Sequence, residues 1–163
     1  MLSITVEPGY ENRRAIRICR EVLKKLDREL IPQLAKSKAP LIMEWEIHDL
    51  EGYAFAAFMR PIRRWYERGE TLKFLIDPAS LIEADEEELK ALEVLARKNS
   101  SDFVSIPAEE KSKGIRFALE ATAAHEVCHA VEFVLGMRSS ERRAEKFCEE
   151  WAKTGKVWRF WAR

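Results

Sequence analysis

At 163 residues and 47% hydrophobic side chains, the chain has enough apolar material for one domain with a real core and needs no disulfide staples. Its 28 Lys and Arg balance its 28 Asp and Glu, so no net field draws it to nucleic acid or anionic lipid, and neither is expected as a partner. The three cysteines, Cys19, Cys128 and Cys148, form no CxxC pair and no even-numbered framework; the opening MLSITVEPGYENRR lacks a signal-peptide core, and no apolar run reaches bilayer length, so a reduced, cytoplasmic protein is expected.

In chain order, Leu2 to Val6 alternates like a short strand, and Pro8-Gly9 ends it. Asn12 is a cap for a helix from about Arg13 to Lys36, whose pattern Pro32 interrupts late. The basic residues of that helix are interleaved with Glu and Asp and read as a solvated face. Three strands are expected next: Leu41–His48, Tyr53–Met59 and Thr71–Ile76. The tetrapeptide Asp49-Leu50-Glu51-Gly52 reads as a hairpin turn joining the first two. Ser80 to Asn99 reads as an acidic-fronted helix with Ser80 as its cap, followed by a loop from Asn99 to Gly114. A helix over Ile115–Leu135, stopped by Gly136, and a last helix from about Glu141 past Trp151, capped by Ser139 or Ser140, complete the chain. The expectation is an α+β fold over residues 1–163, with a small mixed sheet packed on an N-terminal helix and a buried later helix.

The chemistry concentrates in that buried helix. Residues 125–129 read His125-Glu126-Val127-Cys128-His129, an HExxH motif that takes two of the chain's three histidines. Four residues is one helical turn, so both imidazoles share a face within reach of a single Zn²⁺, with Glu126 beside them as a proton acceptor. The stretch IRFALEATAAHEVCHAVEFVL is apolar nearly all round, so two imidazoles and two carboxylates within residues 125–132 call for a counter-charge, which a bound cation supplies.

Catalytic zinc takes three protein ligands and leaves a position for water. The histidine-terminated form of the motif needs Gly at 132 and His at 135; here Glu132 and Leu135 stand there, and that class is excluded. The third ligand is therefore sought among carboxylates of the next helix. Ala144, Phe147, Cys148 and Trp151 define its buried stripe, with Glu141 at the inner edge and Glu145 rotated away. Glu141 is the expected ligand, with Glu145 and Glu132 as alternatives; Glu132, on the histidine face, is favoured for a supporting or surface role. His48, near a turn, reads as surface polar, with substrate or oxyanion contact as its alternative role; Tyr53, Tyr66 and Arg116 are further candidate electrophiles.

With both segments in hand, the chain resembles the gluzincin metallopeptidases, in particular the minimal gluzincins and the ImmA/IrrE-like peptidases. The resemblance rests on HExxH at His125–His129 followed by an ExxA helix, Glu141-Arg142-Arg143-Ala144, running on to Phe147, and covers roughly residues 113–152. It implies a zincin-like fold, Zn²⁺ held by His125, His129 and Glu141, and Glu126 as the catalytic base. The connection from His129 to Glu141 is short, and Cys148 stands where the family often has Ala. The expected activity is hydrolysis of peptide bonds in a peptide or protein substrate, with a strand of the sheet, Tyr53–Met59, pairing an extended peptide. The alternative is a latent or structural zinc protein acting as an interaction module. The tail Val157–Arg163 reads as a segment packing on the core, with self-inhibition by plugging the cleft as its alternative role.

Overall fold

The computed structural model describes residues 2–35, 41–84, 86–87 and 108–162. It is a mixed α+β fold: strand β1 (Leu2–Val6), helix α1 (Arg13–Glu29), the short helix α2 (Ile31–Leu34), strands β2 (Ile42–Ile47), β3 (Ala56–Phe58) and β4 (Thr71–Ile76), then helices α3 (Ala108–Val134) and α4 (Glu141–Thr154). The four strands form one sheet in the order β1-β2-β4-β3, with β1, β2 and β4 parallel and β3 antiparallel to β4 at the edge.

The register explains the layering. Side chains at paired positions point to one face, so Ile4, Trp45 and Phe74 stand in a row, as do Val6, Ile47 and Ile76, and Phe58 sits opposite Phe74. Trp45, Ile47, Phe74 and Ile76 are buried, whereas the alternate residues Thr71 and Lys73 face water. One face thus carries the core, and α3 packs against it at β3 and β4 while also touching α1.

The predicted hairpin is not formed. Tyr53 N–H does donate to Leu50 C=O at 3.0 Å, closing a turn, but β2 pairs with β4, and β3 pairs with β4 from its other side. Turn residues report a local reversal only. The sheet instead takes Leu72, Phe74 and Ile76, which bury a full apolar row, into its interior, and leaves the short β3 at the rim. The strand expected over Tyr53–Met59 is accordingly reduced to Ala56–Phe58, with Tyr53 exposed.

The first helix ends at Glu29; Leu30 is a joint, and Pro32 lies in the first turn of α2, where its missing N–H costs nothing. Lys36 lies outside the described residues. Asn12 caps α1 as expected, its side chain accepting from Ala15 N–H at 3.0 Å. The acidic helix begins earlier than Ser80: Asp77 accepts from Ser80 N–H at 3.3 Å, and residues 78–84 are helical with Pro78 at their head. Most of the rest of that predicted helix, and the first part of the loop after it, lie outside the described residues. The loop's last part is already helix, since α3 starts by Ala108. Among the described residues no helix is long and apolar enough to cross a membrane.

Asp77 is fully buried and ties the ends of three elements together. It accepts from Tyr10 Oη at 2.6 Å, Ser80 Oγ at 2.7 Å and Leu50 N–H at 3.0 Å. Burial alone would raise its carboxyl, but the hydrogen bonds from Tyr10, Ser80 and Leu50 outweigh it and hold Asp77 below the ordinary carboxylate value. A lowered folded value means stability that is present above the unfolded pKa of about 3.9 and lost as pH falls through the folded one. Asp77→Asn is expected to cost about 1.5–3 kcal/mol at neutral pH. The same change should flatten the loss of stability below about pH 4. Urea unfolding at neutral and acid pH checks both; a variant that tracks the wild type at each pH sinks the assignment.

Candidate metal centre

The last three turns of α3 are well enclosed: Ala123, Ala124, Val127, Cys128, Ala130 and Val131 are buried. His125 and His129 stand on the remaining face, with side chains 21% and 12% exposed and ring centroids 5.0 Å apart. Cys128 is fully buried and its thiol lies outside the group formed by His125, His129 and Glu141, so it packs the core.

The chain then turns back. Gly136 adopts φ +67°, and Met137 N–H donates to Glu132 C=O at 2.8 Å while Gly136 N–H donates to Phe133 C=O at 3.1 Å, a Schellman cap. Ser140 caps α4, its hydroxyl accepting from Arg143 N–H at 3.2 Å, so the helix starts at Glu141. That short return swings Glu141 over the histidines. One carboxylate oxygen lies 3.0 Å from His125 Nε2 and the other 2.9 Å from His129 Nε2. The donor atoms of His125, His129 and Glu141 all lie within 4.8 Å of one another. Metal bonds of about 2.0–2.2 Å place neighbouring ligand atoms of a tetrahedron roughly 3.4 Å apart, so the arrangement has the size a metal ion needs, and two imidazoles with a carboxylate suit Zn²⁺.

The electrostatics make the same point. His129 Nδ1 lies 2.7 Å from Glu132 Oε1 and 3.2 Å from Ser139 Oγ. An ionised carboxylate only accepts, so Nδ1 carries the proton and Nε2 is turned toward Glu141. Two acceptors then face each other at 2.9 Å, which is repulsive unless a cation, a second proton or a metal ion, lies between them. The hydrogen bond to Glu132 raises the His129 pKa, against the opposing effect of burial. Glu132 itself is fully buried, and its other oxygen accepts from Ser140 N–H at 3.0 Å and from the Arg143 guanidinium. It supports His129 and does not join the three-residue group.

Glu126 lies beside the histidines and is fixed from the sheet: Phe58 N–H, on β3, donates to its Oε2 at 2.8 Å. Burial lifts its carboxyl above the ordinary value; the Phe58 amide and both histidines oppose this without cancelling it. A cleft of about 310 Å³ opens here, lined by Phe55, Ala56, Ala121, Thr122, His125, Glu126 and Cys148. The site therefore holds three convergent ligand atoms, a carboxylate made more basic by burial, and an open approach.

Other candidates fall elsewhere. Glu145 is exposed and outside the ligand group, its backbone C=O accepting from the Cys148 thiol at 3.2 Å. His48 Nδ1 lies 3.3 Å from Glu7, and the residue lines a separate cleft with Tyr10 and Asp77. Tyr53 is exposed, Tyr66 Oη donates to Glu70 C=O at 3.4 Å, and Arg116 pairs with Glu21 of α1. The tail runs along α2 and α4: Val157 N–H donates to Gln33 at 3.2 Å, Phe160 packs edge-on to Phe147, and Lys146 sits over the Trp158 ring. The Phe58 amide was not foreseeable, since a backbone donor has no sequence signature; the Arg143–Glu132 pair was hinted at only by a glutamate on an apolar helix. Compared with protein families, curated proteins and solved structures, the chain matches none.

Proposed function

We propose that this chain is a zincin-like, gluzincin-type zinc metallopeptidase that hydrolyses peptide bonds. The observation that carries the reading is the convergence of His125 Nε2, His129 Nε2 and both Glu141 oxygens, with His129 Nε2 and Glu141 meeting as two acceptors, beside an independently held Glu126. His125, His129 and Glu141 would hold Zn²⁺. When bound, the ion supplies a Lewis acid for the scissile carbonyl and lowers the pKa of a coordinated water toward neutrality.

The rest is the work of the protein's own groups. Phe58 N–H holds one Glu126 oxygen, which leaves the other to accept the proton of the attacking water and pass it to the leaving amine. Phe55 C=O and Met59 N–H bond toward β4, so by the two-residue alternation of a strand Ala56 turns its N–H and C=O the other way, as Phe58 does toward Glu126. An extended peptide can pair with that rim of β3, with side chains entering the cleft beside Phe55 and Thr122.

Zinc content measured beside turnover of a peptide library tests the proposal. Wild type is expected to hold stoichiometric zinc, His125→Ala and Glu141→Ala to lose it, and Glu145→Ala to keep it. Zinc retained by Glu141→Ala and lost by Glu145→Ala would reassign the third ligand. Zinc that raises the melting temperature strongly without any turnover would replace the peptidase reading with a structural clamp between α3 and α4.

A further inference from the structure

Among the described residues, two acidic side chains are fully buried, Asp77 and Glu132. Asp77 spends its hydrogen bonds on holding the fold. Glu132 divides its own: Oε1 takes His129 Nδ1 at 2.7 Å, while Oε2 takes Ser140 N–H at 3.0 Å and the Arg143 guanidinium. A carboxylate out of water is costly without a positive partner, and Arg143 is that partner. The division matters, because the two contacts on Oε2 hold the carboxylate with Oε1 turned to His129.

Arg143 is itself anchored at three points. The nitrogen that meets Glu132 also donates to Arg138 C=O at 3.0 Å; its backbone N–H is taken by the Ser140 cap; and its guanidinium lies over the Phe160 ring, 5.3 Å from the centroid. Phe160 is buried on the segment after α4, against Phe147. A planar guanidinium can bond a carboxylate and a carbonyl at its edge while laying its face on an aromatic ring, a fixed geometry that an ammonium lacks. Contacts thus run from Phe160 through Arg143 and Glu132 to the ring nitrogen of His129 that points away from Glu141.

We infer that Arg143 is a positioning residue for the metal ligand His129, acting through Glu132, and that Phe160 on the C-terminal segment belongs to the same support. The inference rests on the metal reading above. Metal affinity then depends on an aromatic residue that touches no ligand. A carboxylate on the far nitrogen of a ligating histidine fixes the ring's tautomer and direction, and disturbing such a partner typically costs about 10- to 100-fold in metal affinity.

The test uses the full chain and needs no turnover. Zinc affinity by chelator competition, the visible spectrum of the Co²⁺-loaded protein and the melting temperature of the metal-free protein are measured for wild type, Arg143→Ala, Arg143→Lys, Phe160→Leu, Glu132→Gln and the double variant Glu132→Gln/Arg143→Ala. Arg143→Ala is expected to weaken zinc about 10- to 100-fold and to shift the Co²⁺ bands. Lysine should recover part of the affinity, and Phe160→Leu should lose less, in the same direction. The double variant should be no weaker than Glu132→Gln alone, because both changes act through one hydrogen bond. Arg143→Ala with wild-type affinity and spectrum, even if it melts lower, overturns the inference, as does an additive double variant. An unaffected Phe160→Leu overturns the tail's part in it. A wild type that takes up no zinc fails the metal reading and this one together; wild-type uptake with an indifferent Arg143→Ala fails this one alone.

Discussion

Glu126→Gln is expected to lower peptide hydrolysis by about 10²–10⁴-fold while the protein keeps its zinc. Glutamine matches the shape of the carboxylate, and its amide oxygen can still accept the Phe58 N–H that holds Glu126 at 2.8 Å. Nothing in the substitution touches the converging atoms of His125, His129 and Glu141. What it removes is the ability to take a proton from water, which a neutral amide cannot do. Parallel measurement of zinc content and turnover separates base from ligand. A variant that cleaves as fast as wild type removes Glu126 from the mechanism; one that loses zinc shows that it also holds the ligands in place.

Phe74→Ala should produce a large loss of stability, about 3–5 kcal/mol, as is usual for a buried Phe. That corresponds to a fall in melting temperature of roughly 10 °C for a chain of this length. Phe74 is 1% exposed in the central strand β4 and stacks on Trp45 with centroids 4.4 Å apart and planes 13° from parallel. It also meets Phe58 at 5.3 Å, and Phe58 meets Phe133 of α3 at 5.9 Å. Truncation removes the middle of this aromatic row, where the packed neighbours can only partly close the gap. The damage reaches the site by a named route, since Phe58 also supplies the amide that holds Glu126. Leu75→Ala, on the other face of the same strand and partly exposed, is the control and should cost far less. Equal losses from the two variants in thermal unfolding would show that the apolar face is not where the core lies.

Sequence alone determined the features that are periodic along the chain. The spacing of His125 and His129 is a property of any helix through them, and the inner edge of the stripe Ala144, Phe147, Trp151 singled out Glu141 over Glu145. The strands over Leu2–Val6 and Thr71–Ile76, the Asn12 cap and the stop at Gly136 were legible for the same reason: each is fixed by residues within a few positions of one another. Tertiary structure decided what depends on partners distant in sequence. It put β4, with Leu72, Phe74 and Ile76 buried, between β2 and β3, despite the turn at Leu50–Tyr53 that joins those two strands. It brought Phe58 N–H to Glu126, 68 positions away, and Arg143 and Phe160 to the back of His129 through Glu132. Periodicity records which way a side chain points from its own backbone. What it meets there is set by packing across the whole chain, so the two histidines and the place of Glu132 on their face could be read from the sequence, and the contacts of Phe58, Arg143 and Phe160 could not.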